Sequence, residues 1–186
     1  MAQFKLDLKK LAKNGRAGLT PAEASHLAEA AVIAADAAGK PLPQTLTFSG
    51  RKRRKPLLLG PKINNRMRRT YADHQDAVEW GASAVAAAAI EPLENLTVYE
   101  RSPKSGFGFD YFLIPLNLAD RADDDNFFAD ATHILEVSGT LQNDKAVMDE
   151  RVSEKLKRLK SKKQELPAFV IVVDFRFARA KLVKYG

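Results

Sequence analysis

The chain has 186 residues, of which 45% are hydrophobic, and carries a formal net charge of +7 at pH 7. That length suits one domain with a hydrophobic core. The absence of cysteine excludes disulfides and thiolate metal sites, and the absence of any apolar run of about 18 residues argues against a transmembrane helix. The first residues also lack the apolar run of a secretory signal, so we expect a cytoplasmic protein with no membrane association.

The positive charge is concentrated in one stretch, residues 51–69. It contains nine Lys and Arg and no Asp or Glu, so the other residues hold 21 basic groups against 23 acidic ones. A local excess of this kind favours contact with a polyanion, and we predict that these side chains bind nucleic acid. A solvated basic arm and a contact with a protein partner are the alternatives. The nine residues are Arg51, Lys52, Arg53, Arg54, Lys55, Lys62, Arg66, Arg68 and Arg69.

Two alanine-rich helices are predicted in the first half of the chain. The first begins with a capping box at residues 20–23 and runs to residue 38, where a glycine follows. A connection rich in proline, with a short strand at residues 45–48, leads into the basic stretch. The second helix is predicted at residues 70–90 and should end at Pro92, because proline cannot donate a helical hydrogen bond.

The second half of the chain is predicted to be rich in β-structure. Alternating or apolar runs predict five strands, at residues 96–101, 109–114, 132–138, 168–175 and 177–185. A turn at residues 103–108 should join the first two as a hairpin, and a solvated acidic loop should precede the third. A helix at residues 144–163 separates the third strand from the fourth. The fourth strand is apolar enough to be buried on both faces, and the fifth has the alternation of an edge strand.

This order of elements predicts a mixed β-sheet flanked by helices, in the α+β or α/β class. Two carboxylates stand among the apolar residues of the strands, Asp110 in the second and Glu136 in the third. The order and the two acids together resemble the αβββαβ core of the PD-(D/E)XK nuclease superfamily, also called restriction-endonuclease-like. The resemblance covers roughly residues 70–175.

The resemblance implies a metal-dependent nuclease. In that family the two strand acids bind a divalent metal, usually Mg²⁺, and an acid of the preceding helix often joins them, so Asp110, Glu136 and Glu79 are the implied ligands. A lysine two residues after the glutamate normally positions the attacking water, but Ser138 occupies that catalytic position here. A lysine of the following helix would have to supply the missing charge, and Lys155 and Lys145 are the candidates.

The same resemblance divides the chain into an N-terminal helical extension (residues 1–50), a basic arm (51–69) and a nuclease-like core (70–186). Its implied substrate is nucleic acid, DNA in the first place. Two other functions stay open. A catalytically inactive nuclease fold would bind nucleic acid as a subunit of a larger assembly, for example in anti-phage defence. A structural protein would use the alanine-rich helices to pack against a partner or against a second copy.

Overall fold

The structure, a computed structural model, describes residues 4–102, 108–121, 130–162 and 165–186. Its helices are Leu8–Asn14 (α1), Pro21–Ala37 (α2), Asn65–Thr70 (α3), His74–Glu94 (α4) and Val147–Ser161 (α5). Its strands are Lys5–Asp7 (β1), Gln44–Thr45 (β2), Thr47–Gly50 (β3), Leu57–Leu59 (β4), Leu96–Arg101 (β5), Tyr111–Pro115 (β6), His133–Thr140 (β7), Ala168–Asp174 (β8) and Arg179–Tyr185 (β9).

A six-stranded mixed sheet in the order β3-β9-β8-β7-β6-β5 forms the centre of the molecule. Strands β5, β6 and β7 are antiparallel neighbours, whereas β7 and β8 are parallel and are connected through α5. A second, three-stranded sheet has the order β1-β4-β2. The predicted mixed sheet flanked by helices is therefore confirmed.

Helices α4 and α5 cover opposite faces of the large sheet. On the α4 side, Gly139 of β7 lies against the backbone of Val78, where any side chain would clash. On the other side, Val152 and Leu159 of α5 share a buried cluster with Val170 of β8. Every residue of β8 is buried, as its apolar and β-branched sequence predicted.

Helix α2 packs on α4, and their alanines explain how closely they approach. Thr20 caps α2 as predicted, because its hydroxyl accepts the backbone N–H of Glu23 at 3.2 Å. A Cβ atom placed on Gly81 of α4 would be 2.7 Å from the Cα of Ala31 in α2. The alanine-rich faces are therefore buried against each other within this chain.

Two predicted features of the helices and strands are wrong. Helix α4 does not end at Pro92, which lies inside its last turn; the helix ends at Glu94, and the left-handed backbone of Asn95 (φ 58°) caps it. A proline there loses only one hydrogen bond near the end of a helix. Strand β9 is not an edge strand, because β3 pairs with it in parallel on its outer side.

The basic stretch is ordered structure rather than a solvated arm. It contains β4, which lies between β1 and β2, and the short helix α3. One hydrophobic core contains Leu6, Leu58, Val85 and Leu182, so residues from all three predicted segments pack together. The predicted boundaries at residues 50 and 69 stay a prediction.

The predicted hairpin turn and most of the acidic loop lie outside the described residues. In the part of the chain that the structure describes, no helix combines the length and the apolarity needed to cross a membrane.

Candidate active site

Asp110 and Glu136 lie beside each other on the face of the sheet that α5 covers. The β6–β7 register ends with Tyr111 opposite Leu135, so Asp110 is the first residue before the paired part of β6 and lies at the level of Glu136. The charge of Asp110 acts on Glu136, and Lys155 and Arg158 act on both carboxylates, which places the two acids close together. Two acids that are 26 positions apart in the sequence are thus brought together.

The backbone holds Asp110 in place just before β6 begins. Its Oδ2 atom accepts the backbone N–H of Val137 at 2.6 Å, and its own N–H donates to the carbonyl of Leu135 at 3.0 Å. Its carbonyl accepts the N–H of Ser102 at 2.8 Å. These bonds connect the ends of β5 and β6 to β7, so the position of the carboxylate is set by the sheet itself.

Glu136 is buried, with 1% of its surface exposed, and is neutralised by α5. The Lys155 Nζ atom donates to its Oε1 at 2.5 Å, and an Arg158 nitrogen lies 3.7 Å from the same oxygen. A buried carboxylate without such a partner would be costly. Among the described residues, no hydrogen bond reaches the second oxygen of either Asp110 or Glu136.

Ser138 and the two candidate lysines have different surroundings. The Ser138 hydroxyl lies on the same side of β7 as Glu136 and accepts a hydrogen bond from Arg151 of α5 at 3.0 Å. Lys155 reaches Glu136, whereas the Lys145 ammonium lies 5.5 Å from the ring centre of Phe177, away from the acids. Of the two lysines, Lys155 is therefore the one placed at the carboxylates.

The pKa values of both acids are raised, chiefly because the groups are buried. For Asp110, the Val137 N–H and then Lys155 oppose this increase of the pKa. For Glu136, the charge of Asp110 adds to the effect of burial and raises the pKa further, while Lys155 lowers it. Adjacent desolvated carboxylates repel each other, and such a pair favours the approach of a cation.

A cleft of about 620 Å³ opens beside Asp110 and Lys155, whereas buried Glu136 is not part of its lining. Three walls surround it: the first two turns of α2 with the second and third turns of α4, the ends of the strands with Arg101 and Asp110, and α5 with Arg151, Glu154 and Lys155. The cleft therefore has charges of both signs. Arg101 is close to Glu23 on the opposite wall, with 3.5 Å between nitrogen and oxygen.

Glu79 lies in the wall of the cleft but does not complete a three-ligand set. Within the described ranges, no group of three or more His, Asp or Glu side chains is close enough together to hold a metal ion. The physical reason is that α4 packs on the opposite face of the sheet from Asp110 and Glu136, and that Glu79 is exposed. The two strand carboxylates alone still fit Mg²⁺, which binds one or two protein carboxylates and completes its shell with water and phosphate.

His26 is a residue of the cleft that the sequence patterns did not indicate, and Trp80, expected in the core, also lines it. Both side chains are partly buried, and their ring centres are 4.5 Å apart. Trp80 does pack against the core as well. One feature of the sequence could have indicated them. Each is a large ring with a polar nitrogen in an otherwise alanine-rich helix, and each lies close to a glutamate, His26 to Glu23 and Trp80 to Glu79.

The nine basic side chains do not form one surface. Arg51 and Lys52 pair with Glu94, at 3.0 and 3.6 Å, at the far end of α4. The backbone of Arg54 is hydrogen-bonded to the backbone of Phe48 in β3. Since β3 is three strands away from β7 in the sheet, the two strands are about 14 Å apart. In contrast, Arg68 and Arg69 lie in the last turn of α3, where Arg68 pairs with Asp36 near the end of α2 at 3.0 Å, and this turn leads to Tyr71, which is buried behind the cleft wall.

Comparisons of the chain with models of protein families, with characterised proteins and with solved structures returned no match.

Proposed function

We propose that the chain is a metal-dependent nuclease with a restriction-endonuclease-like core. One observation carries the proposal: Asp110, just before β6, and Glu136 of the adjacent β7 lie next to each other, with the Lys155 ammonium 2.5 Å from Glu136. The order α4-β5-β6-β7-α5-β8 and the parallel β7–β8 pair support the same core. In this proposal the lysine that the motif lacks at Ser138 is provided by α5.

The reaction would be hydrolysis of a phosphodiester. The oxygen of a water forms a bond to phosphorus, the bond from phosphorus to the leaving oxygen breaks, the water loses a proton and the leaving oxygen gains one. An ammonium group has three donors, of which Lys155 uses one on Glu136, so as far as the described residues go, two remain for the water or a phosphate oxygen. Fixed donors of this kind stabilise charge that develops in the transition state.

Asp110 and Glu136 would hold Mg²⁺ through the oxygens that accept no hydrogen bond from the described residues. When bound there, the ion supplies Lewis acidity and lowers the pKa of a coordinated water. The two carboxylates would bind it, and the Val137 N–H would keep Asp110 oriented. Arg151 and Arg101, which line the same cleft, are placed to contact phosphate oxygens.

The test is cleavage of plasmid and of labelled oligonucleotides with Mg²⁺ or Mn²⁺. We expect activity in the natural chain and its loss in Asp110→Asn and Glu136→Gln, which keep the shape of each side chain. Asp149→Asn is the matched control, since Asp149 is a surface carboxylate of α5 paired with Lys181 at 2.8 Å. Circular dichroism should show that all variants are folded.

Two results would count against this function. Cleavage that persists in Asp110→Asn would assign the activity to another site or to a contaminant. No cleavage of any substrate, together with salt-dependent binding of nucleic acid, would favour the inactive binding subunit, for which Ser138 in the lysine position is the supporting observation.

A further inference from the structure

The helical wall of the cleft carries two aromatic rings that the proposed hydrolysis does not use. His26 of α2 and Trp80 of α4 line the cleft with Asp110 and Lys155, which lie on other walls. Tyr71 is buried behind them, with its ring centre 5.3 Å from that of His26 and 6.2 Å from that of Trp80. The aromatic wall is thus a supported part of the structure and not a pair of loose surface rings.

Hydrogen bonding fixes the orientation and the tautomer of His26. The Tyr71 hydroxyl is 2.7 Å from the His26 carbonyl oxygen and 2.8 Å from its Nδ1 atom. The single hydroxyl proton must go to the carbonyl, which can only accept, so Nδ1 carries a proton and donates to the hydroxyl oxygen. Burial raises the pKa of Tyr71 to about 12, which keeps that proton in place. With a proton on Nδ1, Nε2 is the ring nitrogen that can accept a hydrogen bond when the ring is uncharged.

Trp80 offers the complementary group. Its indole N–H makes no hydrogen bond to any of the described residues, although its ring is partly buried. An acceptor on His26 and a donor on Trp80 therefore occur on one aromatic wall. A nucleobase presents this combination of a flat ring with donors and acceptors at its edge.

The charges of the cleft decide which part of a nucleotide goes where. Glu23 and Glu79 lie on the helical wall beside the rings and would repel a phosphate. Lys155 and Arg151 lie on α5 and would attract one, although Glu154 lies on the same wall. An uncharged base is therefore favoured at Trp80, and its phosphate is favoured at the two cations of α5.

We propose that the cleft binds an unpaired nucleotide of a nucleic-acid strand, with its base on the His26–Trp80 wall and its phosphate at Lys155 and Arg151. The proposal rests on the proposed function and narrows its substrate to single-stranded or unpaired regions. The cleft, at about 620 Å³, has the size of a pocket for a small ligand. A base inside a duplex is stacked and paired on both sides, so it must leave the helix before it can stack on a protein ring.

Trp80 makes the test direct, because it is the only tryptophan in the chain. Its fluorescence is titrated with a thymidine decamer, with the RNA equivalent, with a blunt duplex and with thymidine monophosphate, all in EDTA so that no strand is cleaved. We expect quenching by the single strands at concentrations where the duplex and the mononucleotide have no effect. Equal quenching by the duplex, or by the mononucleotide, would overturn the proposal.

Variants locate the effect by fluorescence anisotropy of a labelled decamer. Trp80→Ala should weaken binding about tenfold or more, and Trp80→Phe should weaken it less, because a stacked base is lost in the first and partly kept in the second. Phe177→Leu is the matched control, an aromatic residue outside the cleft that contacts Lys145 and Arg179. Unchanged binding in Trp80→Ala would refute the aromatic site. If that variant does not fold, Trp80→Phe and His26→Gln serve as the decisive pair.

The failure of this proposal differs from failure of the proposed function. Cleavage that depends on Asp110 without quenching of Trp80 by single strands would leave the nuclease proposal standing and remove the unpaired-nucleotide site. Quenching by single strands without cleavage would support the nucleotide site and count against the nuclease.

Discussion

Asp110 and Glu136 lie next to each other at the β6–β7 pair, and both carboxylates are largely withdrawn from water beside α5. Like charges this close repel each other. Two cations of α5 offset that repulsion, since Lys155 donates a hydrogen bond to Glu136 and an Arg158 nitrogen lies 3.7 Å from the same oxygen. A metal ion held by the two carboxylates would offset it further, in keeping with the proposal that this pair binds a cation.

The first prediction concerns the dependence of stability on pH. Burial raises the pKa of Asp110, so the folded state holds its proton more tightly than the unfolded state does. Burying the ionised carboxylate destabilises the folded state. This loss of stability is absent below the ordinary carboxyl pKa of about 4 and is complete above the raised pKa of the folded state. The free energy of unfolding of the natural chain, relative to Asp110→Asn, should therefore fall as the pH rises across that window.

Urea unfolding at a series of pH values from 4 to about 8 measures this difference. The control is Asp149→Asn, a carboxylate on the surface of α5. If the free energy of unfolding of the natural chain instead rises with pH relative to Asp110→Asn, the neighbouring cations, and not burial, dominate at Asp110.

The second prediction concerns the lysine supplied by α5. Lys155→Met should reduce the cleavage rate by about 100-fold or more, since it removes a fixed cation beside the reacting phosphate. It should also lower the free energy of unfolding by about 1–3 kcal/mol, because buried Glu136 loses its hydrogen-bonded partner. Adding Ser138→Lys, which puts a lysine at the position where the proposed nuclease motif has one, should recover part of the lost rate.

Single-turnover rates at saturating enzyme separate the chemical effect from binding. Lys157→Met, an exposed lysine of the same helix, should leave the rate unchanged. Full activity in Lys155→Met would show that the lysine only neutralises Glu136.

The third prediction separates the two halves of the basic stretch. Arg66 and Arg69 are exposed on α3, which leads to Tyr71 behind the cleft wall, whereas Arg53 and Arg54 lie near β3 at one edge of the sheet. Reversal of both charges on α3 should therefore weaken binding of nucleic acid. The slope of log affinity against log salt concentration should become shallower by the amount expected for about one to two phosphate contacts. The same change at Arg53 and Arg54 should have less effect.

Electrophoretic shifts at several salt concentrations give the slope for each variant. Equal losses from both pairs would indicate a contact area that spans both ends of the basic stretch, and a larger loss from Arg53 and Arg54 would move the nucleic-acid surface away from the cleft.

Local patterns in the sequence were enough to predict much of the sheet. Strand β5 begins and ends where its alternation predicts, and β8 is buried on both faces as its composition indicates. Helical spacing also indicates Lys155 in preference to Lys145. Lys155 follows buried Val152 by three positions and precedes buried Leu159 by four, so it lies on the face of α5 that meets the sheet.

Features that depend on distant pairings could not be predicted from local patterns. The β3–β9 pair joins Thr47–Gly50 to the C-terminal end of the chain, so nothing near β9 in the sequence reveals that its outer edge is covered. The cleft wall formed by His26 and Trp80 depends on how α2 crosses α4. Alanine-rich helices give little directional signal for such a crossing, because small side chains fit on every face.

The fourth prediction tests that helix crossing. Gly81→Ala should lower the free energy of unfolding by about 1–3 kcal/mol, because the added Cβ atom would be 2.7 Å from the backbone of Ala31, which cannot rotate away as a side chain could. In an exposed helix the same change would stabilise by about 1 kcal/mol. The sign of the effect therefore shows whether α2 and α4 are in close contact. Ser83→Ala, one half-turn further along α4 and only partly buried, is the control.

The same variant has a second readout, because His26 and Trp80 meet across this crossing. A destabilised Gly81→Ala should also show altered Trp80 fluorescence. A stabilised variant with unchanged fluorescence would contradict the packing from which the aromatic wall is built.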